Sequence, residues 1–150
     1  MRYWEDLKIG EEAEHGTHTI TEDEILAFAR EYDPQPFHVD PEAAAAGPFG
    51  GLIASGWQTA SIYMGLYVRN AMSDVAGLGS PGVEELRWLA PVRPGDALTA
   101  RSRVVEAWPS ETDPRRGTMV GLNELVNQDG VVVMRFRARM HIARRPDPNG

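Results

Sequence analysis

The chain has no cysteine in its 150 residues, which removes disulfides, thiol catalysis and thiolate metal sites together. No apolar run reaches the roughly 18 residues of a membrane span, and the start, MRYWEDLKIG, lacks the hydrophobic stretch of a secretory signal. A cytoplasmic protein with no membrane partner is therefore expected. Positive charge is scarce: 15 Lys and Arg against 22 Asp and Glu leave a formal −7. Nucleic-acid binding needs a basic footprint that this balance does not supply. Repeats and low-complexity tracts are also missing, and no linker divides the chain, so residues 1–150 read as a single domain.

What is present suits a folded protein. Hydrophobic residues make up 42% and charged residues 25%, and a chain of this length buries roughly two-thirds of its unfolded surface. The arginines cluster at Arg115 and Arg116, at Arg135, Arg137 and Arg139, and at Arg144 and Arg145. Such clusters are compatible with a nucleotide diphosphate patch and equally with a solvated strand face.

In chain order, Tyr3, Trp4, Leu7 and Ile9 can pack an irregular N-terminus on the domain edge, and residues 14–20 form a short strand candidate. His15 and His18 stand three apart, hence on opposite faces of a strand, so they are expected on the surface and not as a metal pair. Thr21-Glu22-Asp23-Glu24 is a capping box, and Ile25, Phe28, Ala29 and Tyr32 follow at helical spacing. This predicts an amphipathic helix over 22–31 that ends by delivering Asp33. Asp40-Pro41 then caps and starts a short helix through four alanines, which gives Asp40 a capping role. The Gly47–Gly51 loop either makes a tight connection or lets a ligand approach its backbone.

Between those elements runs Asp33-Pro34-Gln35-Pro36-Phe37-His38. The two prolines fix their own φ and hold Asp33 and Gln35 extended. The segment can therefore keep an acid and an imidazole at a set separation, as general acid-base chemistry requires. Spacing alone leaves open a plainer alternative, with Asp33 capping a turn and His38 packed on a strand. Further on, Ser55-Gly56-Trp57-Gln58 fits a second capping box, with Ser55 at N-cap and Gln58 at N3. Gly56 would then be the first helical residue, its N–H unpaired at the positive end of the helix dipole, where it can stabilise an oxyanion. Alanine at 56 is expected to keep the helix. From Trp57 to Val68 apolar residues cover almost every face, so this helix is expected to be wrapped by other elements.

The D-P-Q-P-F-H run resembles the hydratase motif, usually D-x-N-P-L-H, of the MaoC-like dehydratase and (R)-specific enoyl-CoA hydratase family. Gln35 stands in the asparagine place, Phe37 in the leucine place and Tyr32 where a glycine commonly precedes the acid. Leu89-Ala90-Pro91-Val92-Arg93-Pro94-Gly95-Asp96 is similar to a strand-turn signature of the same fold. The resemblance implies an α+β hot-dog fold, an antiparallel sheet curled round a long central apolar helix. It further implies Asp33 and His38 as catalytic residues, with Gly56, Ser55, Gln35 and Phe37 for the oxyanion and substrate. Water would be added to, or removed from, the C2–C3 bond of a coenzyme A or carrier-protein acyl thioester. Coenzyme A would be part of the substrate, no cofactor or metal is called for, and the protein would be a homodimer or dimer of dimers.

The second half of the sequence agrees with that fold. Residues 70–82 read as a small, glycine-rich loop, then strands follow over 83–90, 98–108 and 118–127. Asp129-Gly130 signals a hairpin. In the last strand Val132, Met134, Phe136, Ala138, Met140 and Ile142 alternate with Val133, Arg135, Arg137, Arg139 and His141, which puts His141 on the arginine face away from catalysis. The tail from Pro146 onward is expected to fray.

Two alternatives stay open beside the hydratase. One is a non-catalytic acyl-thioester-binding protein of the same fold. The other is a thioesterase, but hot-dog thioesterases usually place a carboxylate on the central helix, and residues 57–69 contain no Asp or Glu. A metal site from Asp33, His38 and Asp40 would lack a third histidine.

Overall fold

Local signals set the helices of the computed structural model, which describes residues 1–147. Helix α1 spans Glu22–Tyr32, with Thr21 Oγ1 accepting the Glu24 N–H at 3.1 Å. Its apolar stripe buries Ile25 and Ala29. A single turn, α2 (Pro36–Val39), and the short α3 (Pro41–Ala46) follow, both opened by proline. Helix α4 spans Gly56–Tyr67 and continues as a wider π-type turn over Val68–Met72.

Five strands form one antiparallel sheet: β1 (Glu12–Thr19), β2 (Gly82–Trp88), β3 (Ala97–Pro109), β4 (Arg116–Val126) and β5 (Val132–Ala143). They lie in the order β1-β3-β4-β5-β2. Tyr63 and Leu66 of α4 enter one core with Leu98, Ala100, Leu125, Met134 and Phe136 of the sheet. This is the hot-dog fold. Trp4 docks the N-terminus, its indole N–H reaching the Thr118 carbonyl at 3.2 Å. Among the described residues no helix is long and apolar enough to cross a membrane.

The arginines of the outer sheet face are engaged by carboxylates. Arg101 and Arg135 both hold Glu124, at 3.1 and 2.7 Å, while Arg137 meets Glu106 and Arg139 meets Glu84. That is a solvated strand face. Residues 148–150 of the tail expected to fray lie outside the described residues.

Four expectations are corrected. Helix α4 is not wrapped all round: Trp57, Met64 and Val68 are 60%, 50% and 48% exposed. The Ser55–Gln58 box is only half made. Ser55 Oγ accepts the Trp57 N–H, while the Gln58 amide donates to the Glu24 carbonyl at 3.0 Å and ties α4 to α1. His15 is buried, because β1 shifts register against β3 between Glu14 and Thr17 around Gly16, whose φ is +93°. Val133 is buried beside Met134, since β5 slips one residue where Val126 pairs with Val132.

Candidate active site

Asp33 ends α1 as its C-cap, with its N–H on the Ala29 carbonyl at 2.9 Å. Gln35 is extended at the N-cap and leads into α2, which Pro36 opens and whose single turn turns His38 inward. His38 is 4% exposed, and its Nδ1 lies 2.7 Å from the Ile53 carbonyl oxygen. A carbonyl can only accept, so Nδ1 carries a hydrogen. Nε2 is thereby directed at Asp33 Oδ2, 3.3 Å away. In the neutral ring that nitrogen offers a lone pair, and two acceptors facing each other are stable only with a proton or a water hydrogen between them.

Asp33 is held at both oxygens. Gln35 Nε2 donates to Oδ1 at 2.8 Å, and Ser55 Oγ donates to Oδ2 at 2.8 Å. Burial pushes the Asp33 carboxyl up, but the hydrogen bonds from Gln35 and Ser55 and the charge of His38 outweigh it and hold the group below the ordinary carboxylate value. Gln35 thus orients the acid directly, despite standing where the family motif has asparagine. Ser55 links the acid to the start of α4. Phe37 sits edge-on to His38 with centroids 4.6 Å apart, and edge-on to Phe49 at 5.4 Å. It packs the imidazole in place.

These groups open on a cavity of about 430 Å³ lined by Asp33, Gln35, His38, Gly56, Thr59 and Trp88, among others. Gly56 begins α4, and its N–H makes no hydrogen bond to the described residues. The structure therefore brings Asp33, His38, Gln35, Ser55 and Gly56 together. Asp40 stays apart as the cap of α3, its Oδ1 accepting the Glu42 and Ala43 N–H groups at 3.1 Å. From the Gly47–Gly51 loop only Phe49 lines the cavity, and its carbonyl is clasped by Arg93 at 2.6 Å. No cluster of three metal-ligating side chains occurs among the described residues.

Sequence reasoning missed Trp88, whose indole N–H donates to the Gly56 carbonyl at 2.9 Å. It also missed the Ile53 carbonyl that fixes the His38 tautomer. Both contacts join distant segments, and no local pattern announces them.

A sequence profile of the MaoC like domain family matches residues 6–125. The crystal structure of the MaoC-like dehydratase from Rhodospirillum rubrum superposes with a TM-score of 0.92 at 41% identity, covering 98% of this chain and 100% of that one. The 3-hydroxyacyl-thioester dehydratase Z of Mycobacterium tuberculosis is 41% identical over 91 residues, which are 58% of this chain and 59% of that protein. The (R)-specific enoyl-CoA hydratase of Rhodospirillum rubrum is 32% identical over 118 residues, 74% of this chain and 75% of that protein.

Proposed function

The chain belongs to the MaoC-like family, and on that footing we propose that it adds water to the C2–C3 double bond of an enoyl thioester, or removes it from the 3-hydroxyacyl thioester. The observation that carries this reading is the Asp33–His38 pair, with Nε2 and Oδ2 3.3 Å apart at the wall of the cavity. Two acceptors so placed hold a water by its hydrogens and leave its oxygen lone pair free to attack. The water oxygen forms a bond to C3, the C2–C3 π electrons move toward C1, and negative charge gathers on the thioester oxygen. The Gly56 N–H at the positive end of α4 stabilises that charge. The proton released by the water passes to the Asp33–His38 pair and returns to C2, so one water is added in full. The pair acts as one unit, and the proton belongs to neither residue alone.

The thioester is carried by coenzyme A or a carrier protein, and a second copy of this chain completes the molecule. The apolar residues exposed on α4, together with Val83, Trp88 and Leu89 on or beside the unpaired edge of β2, support that association. An assay with a panel of enoyl-CoA thioesters tests the reaction. Loss of the conjugated double bond's absorbance without free thiol is the expected result. Thiol release would replace the reading with hydrolysis, and binding without either change would make the protein a carrier.

A further inference from the structure

The cavity at Asp33 and His38 shares no lining residue with the apolar cavity beside β2, so the carrier arm of a bound thioester leaves by its open rim. No lysine or arginine lines the catalytic cavity, and the Asp33 carboxylate there repels anions. Arg93 stands at the rim. It follows Val92, a lining residue, and its Nη2 donates to the carbonyl of Phe49, another lining residue, at 2.6 Å. Phe49 packs on Phe37 at 5.4 Å and Phe37 on His38 at 4.6 Å between centroids, so two aromatic rings separate the Phe49 backbone from the imidazole.

The charge of Arg93 is left without a counterion. Arg101, Arg135, Arg137 and Arg139 each meet a carboxylate, whereas Arg93 meets none among the described residues. Asp96, three residues on, is turned to other donors. Its Oδ2 accepts the Arg93 backbone N–H at 2.9 Å and its Oδ1 the Gln128 amide at 3.0 Å. A guanidinium carries five N–H groups in a planar fork, and the Phe49 carbonyl takes only one of them. The loop beside it is bare: Nη1 lies 3.4 Å from where a β-carbon of Gly51 would stand, and nothing lies within 4 Å of that point at Gly50. Arg87 offers no such contact, because it stands in register with Arg135 and so shares the outer sheet face.

An uncompensated guanidinium at the rim of a catalytic cavity, on a chain of net charge −7, suits an anion brought by the substrate. Coenzyme A and the prosthetic arm of a carrier protein share one such group, the phosphate at the end of pantetheine. The amide-linked chain from sulfur to that phosphate reaches about 15 Å at peptide bond lengths. That length carries the phosphate out of a cavity of about 430 Å³ to its rim. Resting on the hydratase reading, we propose that Arg93 binds the phosphate at the end of the substrate's pantetheine arm.

The test compares crotonyl-pantetheine with crotonyl-4′-phosphopantetheine, which differ by that phosphate alone, on the wild type and on Arg93→Gln. The wild type should show a KM about fivefold lower for the phosphorylated thioester at similar kcat, since an exposed guanidinium–phosphate pair is screened by water. In Arg93→Gln the two KM values should become equal, and Arg93→Lys should keep part of the difference. Crotonyl-CoA and a crotonyl carrier protein present the same phosphate. A rise in KM in Arg93→Gln for either one supports the proposal and identifies the carrier, and a rise for neither overturns it. Equal KM values for the two pantetheine substrates in the wild type, or a difference that survives in Arg93→Gln, overturn it while hydration stands. A variant that slows both pantetheine substrates alike would show that Arg93 only holds the Phe49 loop, and overturns it too. If none of these thioesters is hydrated, the hydratase reading falls and this inference with it.

Discussion

The indole of Trp88 lies against Gly56, where its N–H meets the Gly56 carbonyl at 2.9 Å and its ring fills the space a β-carbon would need. A Cβ built at position 56 would stand 2.7 Å from both Cδ2 and Nε1 of Trp88. Alanine suits the helix at this position, but its β-carbon would meet the ring, so packing as well as the proposed substrate approach calls for glycine. Gly56→Ala should cost about 1–3 kcal/mol of stability, in the range of other overpacking changes. Proline at 56 brings a β-carbon too and should suffer the same clash. Removing the ring should relieve it, so Gly56→Ala in a Trp88→Ala background should be less destabilising than the sum of the single changes. Denaturant midpoints of the four proteins check this, and strict additivity would mean the ring swings aside without cost.

Asp33→Asn and His38→Ala should each lower kcat by roughly 10²–10⁴-fold, the usual contribution of a positioned acid or base. Because the proposed reaction has both groups act on one water, the double variant should lose far less than the product of the single losses. Asp40→Asn is the contrast. Its carboxylate caps α3 at a distance from the cavity, so it should cost at most about 1 kcal/mol of stability and leave kcat near wild type. A crippled Asp40→Asn beside an active Asp33→Asn would place the chemistry on the wrong acid.

Much of this arrangement was readable from local sequence, and the unreadable part has a physical cause. Thr21, Asp40 and the prolines at 34, 36 and 41 act within a few residues of themselves, so helices α1 and α3 and the delivery of Asp33 followed from spacing, whereas the single turn α2 that Pro36 opens was not expected. The alternation of β5 was legible for the same reason. His15 and Val133 were misplaced because each sits at a register slip, which depends on the partner strand and leaves no mark on its own period. Gln58 was read as a capping partner, yet its amide serves Glu24, 34 residues away. Trp88 contacts Gly56 across 32 residues, a distance over which no periodicity speaks. The pair itself was visible, while the groups that aim it, Ile53, Ser55 and Gln35, required coordinates to be given their roles.

Glu124 provides a test of electrostatics away from the site. It faces Arg101 on β3 and Arg135 on β5 in register, and its side chain is 14% exposed. Burial raises its carboxyl, but hydrogen bonds and charge from Arg135 and Arg101 lower it further, so its folded pKa lies below the unfolded value of about 4.3. A carboxyl shifted this way adds stability above its unfolded pKa and loses it as pH falls through the folded one. Glu124→Gln should therefore cost about 1–2 kcal/mol at pH 7, and the gap to wild type should narrow as pH falls below the unfolded pKa and close only below the folded one. Urea midpoints at pH 7 and pH 3.5 measure it. A gap independent of pH would mean that packing, and not the carboxylate charge, supplies the stability.

The exposed stripe of α4 gives the last prediction. Met64 is 50% exposed, one turn from Ala60 and from Val68, and it also borders the apolar cavity beside β2. On a monomer, a charge at a half-exposed position away from caps and networks changes stability by no more than about 0.5 kcal/mol. On a face covered by a second copy it would bury two unpaired charges across the two-fold axis, since such an interface repeats every residue. Met64→Glu should then turn a wild-type dimer into a monomer in light scattering at micromolar concentration. Hydration should be lost with it, although Asp33, His38 and Gly56 are untouched, because the open groove between α4 and β2 would no longer exclude water. A wild type that is already monomeric and active, or a Met64→Glu dimer with full activity, would show that this face works uncovered.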